Sequence, residues 1–300
     1  MFKNLLITGS NGYLGNSFIN QYKNKYKFEK FSLLNQKLED INFDAIDVVL
    51  HCAALVHQKV EHPYEKYYEV NVEYPLRLAK IAKENGVKQF IFISTIAVYG
   101  EGLEKLEKDT SCNPTTHYGK SKLEAEKQLL ELNNEDFVVC IIRPPMVYGK
   151  NAPGNIDSLI KLVKKLPILP LAKINNKRSF VSIQNLCHLI DEIIRFRIEY
   201  GMTGENIFLA SDDEPLSTSR LIELIAKNLD KKVYLIKIPF FESLLKLLKP
   251  SFHKRLYGSL EVDNSIKKEK LYPKSTSLKR FKNPYSVEEG IKLMIYGEKV

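Results

Sequence analysis

The chain contains 300 residues, of which 44% are hydrophobic and 27% are charged, a composition typical of a soluble globular protein. It has no run of the roughly 18 apolar residues that a membrane-spanning helix needs. Its first residues also lack the apolar segment of a signal peptide, so we expect a cytoplasmic location. The formal net charge is +9, and the basic residues are spread along the chain rather than gathered with aromatic residues in one module, which argues against a nucleic-acid partner. A lysine-rich solvated surface explains this charge most simply, although attraction of an anionic substrate or an anionic lipid surface also fits.

Short apolar runs alternate with helix-like segments in the first half of the chain. This pattern predicts strands at 5–8, 28–33, 47–50, 89–94 and 137–142, and helices at 13–26, 65–84 and 121–132. Continuous apolar strands separated by helices indicate a parallel sheet that is covered on both faces. The sequence therefore predicts an α/β fold with a Rossmann-type doubly wound parallel sheet.

The pattern changes after about residue 148, where prolines and glycines cluster. A strand-plus-helix pattern returns at about 178–200, which suggests that the chain re-enters the first domain there. We expect residues 1–150 to form the Rossmann domain, and residues 151–177 and 201–300 to form a smaller, mixed C-terminal lobe that binds substrate. The region between the first helix and residue 47 is short, so we expect the second strand–helix unit to be trimmed.

The four cysteines, Cys52, Cys112, Cys140 and Cys187, lie far apart and form no C-x-x-C pair. Reduced thiols fit this spacing better than disulfides or zinc ligands. We therefore expect no metal site.

Residues 8–15 read TGSNGYLG and carry glycines at the spacing G-x-x-G-x-x-G, between the first predicted strand and the first predicted helix. Glycines in this position let the chain turn tightly and let backbone N–H groups approach a pyrophosphate at the helix N-terminus. An acidic residue at the end of the second strand usually selects NAD, but Ser32 or Leu33 stands there. This position does not decide between NAD and NADP.

Tyr118 and Lys122 form a Y-x-x-x-K pair, which places both side chains on one face if a helix begins there. A tyrosine with a reference pKa of about 10 is a poor base at neutral pH, and a nearby ammonium favours its phenolate. Ser94 and Thr95 lie at the carboxyl end of a predicted strand, where open α/β sheets bind ligands. His51 follows another strand, and we expect it to be a packed core histidine.

Six segments together carry a family resemblance. They are TGSNGYLG (8–15), HCAALVH (51–57), STIAVYG (94–100), YGKSK (118–122), RPPMVYG (143–149) and RSFVSIQNL (178–186). With them the chain resembles, over essentially its full length, the extended short-chain dehydrogenases/reductases of the sugar-nucleotide epimerase/dehydratase group. Further segments, including ASDDEPLSTSRLIELIA and RLYGSLEVD, look closest to bacterial polysaccharide enzymes that act as 4-epimerases or 4-keto reductases on UDP-N-acetylhexosamines.

This resemblance implies roles for individual residues. Tyr118 would be the general acid/base, Lys122 its activator, and Thr95 the hydroxyl that polarises the C4 oxygen of the sugar. The cofactor, NAD or NADP with NAD slightly favoured, would be bound by Gly9, Asn11, Gly12, Tyr13, Leu14, Ala53, Ala54, Tyr118, Lys122 and Pro144. Arg178 and Arg255 would bind the diphosphate of a UDP-sugar, since a guanidinium matches phosphate oxygens better than an ammonium does. Asn71 would buttress the strands around the cofactor.

The implied reaction is epimerisation by transient oxidation at C4 of a UDP-hexose or UDP-N-acetylhexosamine. A one-way NAD(P)H-dependent reductase of a UDP-4-keto-6-deoxy-N-acetylhexosamine would use the same residues and stays an alternative. A non-catalytic, cofactor-sensing partner protein is more remote, because a sensor does not need the set Thr95, Tyr118 and Lys122. A 4,6-dehydratase is disfavoured, because Ile96 and Ala97 stand where it would carry two carboxylates. Met146 replaces a sugar-contacting asparagine of galactose-type epimerases, which weakens a simple UDP-galactose assignment.

Residues 239–249 predict an amphipathic helix with Phe240, Phe241, Leu244, Leu245 and Leu248 on one face and lysines opposite. We expect this apolar face to pack on the substrate lobe, because most such stripes are core faces. The alternative is a basic interfacial helix that holds the protein against an anionic membrane. A homodimer also stays open.

Overall fold

The protein is described by a computed structural model at residues 3–32, 36–56, 62–107, 110–153, 155–200, 206–262 and 282–297. The strands are β1 (Lys3–Thr8), β2 (Tyr26–Phe31), β3 (Val48–His51), β4 (Gln89–Ile93), β5 (Lys105–Leu106), β6 (Val138–Arg143), β7 (Met146–Tyr148), β8 (Ile168–Leu169), β9 (Phe180–Ser182), β10 (Ile207–Leu209), β11 (Tyr234–Leu235) and β12 (Glu261–Val262). The α-helices are α1 (Tyr13–Tyr22), α2 (Tyr64–Tyr68), α3 (Tyr74–Glu84), α4 (His117–Leu130), α5 (Asn155–Lys165), α6 (Ile183–Tyr200), α7 (Thr218–Asn228), α8 (Phe241–Leu248), α9 (Pro250–Tyr257) and α10 (Val287–Tyr296). Among these residues, none of the helices has the length and apolar character needed to cross a bilayer.

A six-stranded parallel sheet lies at the centre, with its strands in the order β2-β1-β3-β4-β6-β10. From β1 the chain first runs outward to β2 and then crosses to β3 on the other side of β1. Thr8 is in register with His51, so the carboxyl ends of β1 and β3 lie side by side at this change of direction. Such a switch point is where doubly wound sheets bind ligands. The predicted Rossmann-type fold is confirmed.

Helices cover both faces of the sheet. Alternate strand residues point to opposite faces, so that Leu5 and Ile7 join the core beneath α1 and α6, while Leu6 and Val49 join the core beneath α3 and α4. Each central strand is therefore buried on both sides, which explains its continuous apolar sequence.

All three predicted helices differ in their bounds, and the helix expected at 121–132 begins four residues earlier, at His117, and ends at Leu130. The helix expected at 13–26 ends at Tyr22, because Tyr26 pairs with Lys3 as the first residue of β2 and stacks against Phe18 with ring centroids 6.2 Å apart. The helix expected at 65–84 is divided into α2 and α3 by a π-helical turn at Glu69–Glu73. The described residues between β2 and β3 contain a 3-10 turn rather than an α-helix, in agreement with the trimmed second unit.

The second half of the chain builds a lobe whose core joins α5, α7, α10 and the paired strands β7 and β9. Val163, Ile222 and Ile291 are buried within it. The chain also returns to the sheet, since α6 packs on one face and β10 pairs with β6 at the edge. Residues 207–209 thus lie in the central sheet, although the sequence pattern placed them in the substrate lobe.

The expected packing of residues 239–249 is wrong in part. An α-helix forms at Phe241–Leu248, and Phe241 packs against the lobe core. Phe240, Leu244 and Leu248 are exposed instead. Phe241, Leu244 and Leu248 share one side of the helix at the spacing i, i+3, i+7, so only the first residue of this side packs on the lobe and the other two face the solvent.

Candidate functional site

The glycine loop at the end of β1 is shaped by close backbone contacts. Gly9 has a φ of +68°, and a Cβ added there would lie 2.7 Å from the Ala53 nitrogen. A Cβ on Gly15 would lie 2.5 Å from the Gly9 carbonyl oxygen, while the Gly12 N–H donates to that same oxygen at 2.9 Å. Gly12 precedes α1 and supplies no side-chain cap, so the first turn of α1 presents its N–H groups to whatever binds there.

The remaining residues expected at the cofactor surround this loop. Asn11 is exposed, and Leu14 packs against the sheet core. Burial raises the pKa of Tyr13, whose hydroxyl has no hydrogen-bond partner within the described parts of the chain. The Pro144 carbonyl accepts from the Ile96 N–H at 3.1 Å, which joins the end of β6 to the loop after β4.

The segment after β3 is fixed against β1 by Thr8 and His51. The Thr8 hydroxyl lies 2.9 Å from His51 Nδ1 and accepts from the Ala53 N–H at 3.3 Å. His51 is fully buried and stacks on Phe92, which confirms it as a packed core histidine. Burial, helped by the charge of Lys122, lowers the pKa of His51 to about 3.

Tyr118 and Lys122 lie one turn apart on α4, as their spacing predicts. Thr116 caps this helix by accepting from the Gly119 N–H at 3.0 Å. Thr95 lies after β4 and accepts from the Ala97 N–H at 3.1 Å, and its hydroxyl lies close enough to the Tyr118 side chain to lower the pKa of that phenol. The structure thus brings together the three residues expected to carry catalysis.

Burial raises the pKa of Tyr118 to about 12, although the nearby Thr95 hydroxyl lowers it in part. The surroundings of Tyr118 therefore do not stabilise its phenolate in the way that the sequence predicted. At neutral pH the side chain is a phenol that can donate a proton. It becomes a base only where additional positive charge approaches it.

Lys122 is a buried ammonium with an incomplete set of partners. Its Nζ lies 3.9 Å from the centre of the Phe92 ring and has no hydrogen-bond partner among the residues that the structure describes. Burial lowers the pKa of Lys122 to about 7, while the neighbouring Glu126 and Cys52 act in the opposite direction. Buried amines normally acquire such partners, so this one is available to a ligand.

Asn71 lies in the π-helical turn and joins three segments. Its amide oxygen accepts from the Leu55 N–H at 2.8 Å, and its amide nitrogen donates to the Leu55 carbonyl and to the Ser121 hydroxyl, both at 3.0 Å. Ser121 in turn donates to the Tyr118 carbonyl at 2.9 Å. Asn71 therefore holds α4 at a fixed position relative to the segment that follows β3.

The sequence analysis missed a buried ion pair behind these residues. Arg143 Nε donates to both carboxylate oxygens of Glu126, at 3.0 and 3.1 Å, and Arg143 Nη1 donates to the Tyr99 hydroxyl at 2.8 Å. The Ser94 hydroxyl also donates to Glu126. Because Glu126 lies one turn beyond Lys122 on α4, the pair links this helix to the ends of β4 and β6.

Arg178 and Arg255 both line a cavity of about 470 Å³ in the lobe, together with Met146. Arg178 Nη1 donates to the backbone carbonyls of Lys254, Arg255 and Gly258, each at 3.3 Å. Arg178 therefore also fixes the C-terminal end of α9. Most of the other residues around the cavity are apolar: Ile156, Leu159, Leu162, Leu166, Leu169, Pro170, Leu171, Phe180, Leu221, Phe241, Phe252 and Leu256.

His188, Asp191 and Glu192 place potential metal ligands within 4.8 Å of one another on α6. Asp191 already accepts from the Lys25 ammonium at 2.6 Å and from the Tyr26 hydroxyl at 2.6 Å. Through these bonds the Asp191 carboxylate holds α6 against the start of β2, which accounts for its position. We assign no metal to it.

Comparison with known proteins agrees with this geometry. The model of the NAD dependent epimerase/dehydratase family matches residues 5–201. A UDP-glucose 4-epimerase from Vibrio cholerae is 35% identical over 97% of this chain and 94% of its own length. An N-acetyl-alpha-D-glucosaminyl-diphospho-ditrans,octacis-undecaprenol 4-epimerase from Escherichia coli O157:H7 is 26% identical over 80% of this chain and 76% of its own. The solved UDP-N-acetylglucosamine 4-epimerase from Bacillus cereus has the same fold, with a TM-score of 0.73 at 18% identity over 97% of this chain and 98% of that one.

Proposed function

Because this chain belongs to the NAD dependent epimerase/dehydratase family, we propose that it inverts C4 of a UDP-hexose or UDP-N-acetylhexosamine by transient oxidation at that carbon. The family is one of NAD(P)-dependent epimerases and reductases of sugar nucleotides, and this chain is an enzyme of that kind. The Vibrio cholerae relative, which matches almost the whole chain, supports the 4-epimerase assignment. The sugar itself is our proposal.

The residues around the glycine loop fit a dinucleotide. Gly9 and Gly15 allow backbone contacts that are too close for a Cβ and that shape the loop, and the uncapped first turn of α1 suits a pyrophosphate. The unpartnered Lys122 ammonium suits the hydroxyl oxygens of a ribose. We propose that the dinucleotide contacts the loop from Gly9 to Leu14, the alanines after β3, and Pro144 after β6. A bound dinucleotide would supply the hydride acceptor for C4 of the sugar and the hydride donor for the return step.

We propose that Tyr118 is the general acid/base and that Thr95 hydrogen-bonds to the C4 oxygen. The Thr95 hydroxyl lies beside Tyr118 at the carboxyl end of β4, an arrangement that suits a single sugar hydroxyl. Tyr118 removes its proton in the first half of the reaction and donates it back in the second. The oxidised nicotinamide of a bound dinucleotide would add, beside the Lys122 ammonium one turn along α4, the further positive charge that favours the phenolate.

We propose that Arg178 and Arg255 bind the substrate diphosphate in the lobe cavity, which residues 151–177 and the chain after β10 build. Both guanidiniums line this cavity, and burial lowers the pKa of Arg178, as happens to a cation that lacks a counterion. A diphosphate would supply that counterion. Met146, also at the cavity, favours an N-acetylhexosamine over a simple hexose, because its apolar side chain suits a methyl group better than a hydroxyl.

The observation that carries the proposal is the position of the Thr95 hydroxyl beside Tyr118, one helical turn from the buried Lys122 ammonium. Its test is an assay with UDP-glucose, UDP-galactose and their N-acetylated forms, without added NADPH, in which nuclear magnetic resonance follows the C4 epimers. We expect interconversion without net cofactor consumption. Tyr118→Phe should lose at least about a hundredfold in rate, the usual size of a lost acid/base, and still bind the cofactor.

Tyr234→Phe is the matched control, since Tyr234 is exposed on β11 away from this site. Near-normal turnover of Tyr118→Phe would contradict the assigned acid/base. Stoichiometric NADPH oxidation with a UDP-4-keto-6-deoxy-N-acetylhexosamine, and no epimerisation of any sugar in the panel, would identify a reductase instead.

A further inference from the structure

Helices α8 and α9 lie on the outside of the lobe, and neither contains a buried residue. Phe240, Leu244, Leu247 and Leu248 follow one another at helical spacing and form one face of α8. The exposed fractions of Phe240, Leu247 and Leu248 are 86%, 79% and 67%. Several large apolar side chains exposed together on one helix indicate a surface that contacts another protein, a membrane or a ligand.

The apolar surface extends beyond α8. Exposed side chains continue along β11 and its partner β8, because Tyr234 pairs with Ile168. The Phe241 N–H donates to the Ile238 carbonyl at 3.3 Å, which brings the end of this segment to the start of α8. We call this surface the lobe patch; its exposed apolar residues are Leu166, Ile168, Tyr234, Ile236, Ile238, Phe240, Leu244, Leu247, Leu248 and Phe252.

The backbone at the centre of the lobe patch is strained. Phe240 has a φ of +60°, a left-handed conformation that costs a bulky L-residue free energy. This conformation holds the aromatic ring in solvent, where it gains no packing. Strain and exposure at one residue both favour a partner that buries the ring.

The charge around the lobe patch has one sign. Residues 231–256 contain seven lysines or arginines and a single acidic residue, Glu242. Lys237, Lys246 and Lys249 are exposed, and no ion pair between described residues uses them. A second copy of the chain would bring the same basic residues face to face, which costs free energy. The partner is therefore apolar at its centre and anionic at its surface.

We propose that the lobe patch docks on the surface of an anionic lipid bilayer. A short helix with Phe and Leu on one face and Lys beside them lies in the plane of such a surface, with its apolar side chains among the acyl chains. The lysines then meet the anionic headgroups. The exposed residues of β11 and the segment after it bind beside α8 and enlarge the apolar contact.

The lobe patch is continuous with the lobe cavity. Phe252 belongs to both, and Phe241 and Leu256 line the cavity from the inner sides of α8 and α9. Docking therefore brings the opening of this cavity to the lipid headgroups. The docking itself requires neither cofactor nor turnover, so it can be tested independently of the proposed reaction.

The test is flotation of the full chain with vesicles of phosphatidylcholine alone and of phosphatidylcholine mixed with phosphatidylglycerol. We expect the protein to float with the mixed vesicles at low salt and to be released from them by high salt. It should not float with vesicles of phosphatidylcholine alone. Lys246→Glu/Lys249→Glu should weaken partitioning about thirtyfold or more, because each lysine near an anionic surface contributes roughly a factor of five. Lys23→Glu/Lys27→Glu, which makes the same change of charge at exposed residues around β2, should leave partitioning within about twofold.

Leu247→Gln/Leu248→Gln tests the apolar contribution, and it should abolish flotation while circular dichroism and the melting temperature stay unchanged, since both side chains are exposed. Protein that remains in the soluble fraction with the mixed vesicles at low salt would overturn the proposal. So would a dimer on size-exclusion chromatography that Leu247→Gln/Leu248→Gln converts to monomer without any vesicle binding, because the lobe patch would then join two copies of this chain.

Discussion

The buried Lys122 ammonium makes the stability of the protein depend on pH. Its pKa is about 7 in the folded protein, against about 10.4 for an exposed lysine. Between these values the unfolded chain binds a proton that the folded chain does not. Stability therefore rises with pH across this range and is lowest where Lys122 is charged in both states.

Replacing Lys122 with methionine should remove that dependence. Lys122→Met should raise the free energy of unfolding of the ligand-free protein by a few kcal/mol at pH 6 and by much less at pH 10. Thermal unfolding at the two pH values measures this difference. Lys120→Met changes an exposed lysine of the same helix and should shift neither melt. A Lys122→Met gain of equal size at both pH values would mean that the ammonium is not desolvated.

The residues expected to react could be predicted from the sequence, whereas the residues that position them could not. Tyr118 and Lys122 are recognisable because their spacing follows from one helical turn. Glu126 is a charged residue on a helix with charged neighbours, and such a residue is usually exposed. Its burial depends on Arg143, which reaches it from another strand, and a pairing between distant segments leaves no local pattern.

At the scale of single elements, the turn from β1 into α1 depends on how closely two backbones approach. Gly15 lies inside α1, where alanine normally stabilises a helix relative to glycine by up to about 1 kcal/mol. A Cβ at this position would meet the Gly9 carbonyl oxygen at 2.5 Å. The clash outweighs the helix propensity and displaces the loop from α1.

We therefore expect Gly15→Ala to lower the affinity for the dinucleotide at least about tenfold and to lower the melting temperature, because the loop no longer fits the pyrophosphate. Isothermal titration with NAD and with NADP measures the affinity. Asn16→Ala leaves an alanine side chain one residue along, on the exposed side of α1. It should leave the dinucleotide affinity and the melting temperature nearly unchanged. An unaltered affinity in Gly15→Ala would exclude this loop from the dinucleotide site.

Hydrophobic patterns located most elements, and the exceptions have local physical causes. The segment from Tyr22 to Tyr26 has apolar residues at helical spacing, yet Tyr26 pairs with β1, where its ring also packs on Phe18. In the π-helical turn at Glu69–Glu73, the backbone hydrogen bonds join residues five apart instead of four, while the spacing of the side chains stays almost that of an α-helix. Periodicity alone could not detect either change.

At the scale of the whole molecule, Arg178 connects the lobe cavity to the end of α9. Its three backbone hydrogen bonds suggest a structural role, while its position at the cavity suggests a ligand. The two roles differ in their kinetic consequences. Replacing a structural residue would alter the binding of both the UDP-sugar and the cofactor. Replacing a residue that binds the diphosphate would alter the binding of the UDP-sugar alone.

Arg178→Ala should raise the KM for the UDP-sugar at least about tenfold, the usual effect of losing a charge-assisted hydrogen bond. The KM for the cofactor should change by less than about twofold. Steady-state kinetics with each ligand varied in turn measures both constants. Arg178→Lys keeps the charge without the planar fork and should recover little of the loss. Equal increases for both ligands would show that Arg178 serves the fold alone.

The placement of β10 at the edge of the sheet has a consequence for biosynthesis. The N-terminus leaves the ribosome first, so β1, β2, β3, β4 and β6 can pair before the rest of the protein exists. The outer edge of β6 then stays unpaired until β10 has been synthesised. The face of the sheet that α6 covers stays exposed until that helix emerges. An unpaired strand edge beside an exposed apolar face favours aggregation. Nascent chains that stall between β6 and β10 should therefore be the ones that chaperones hold longest.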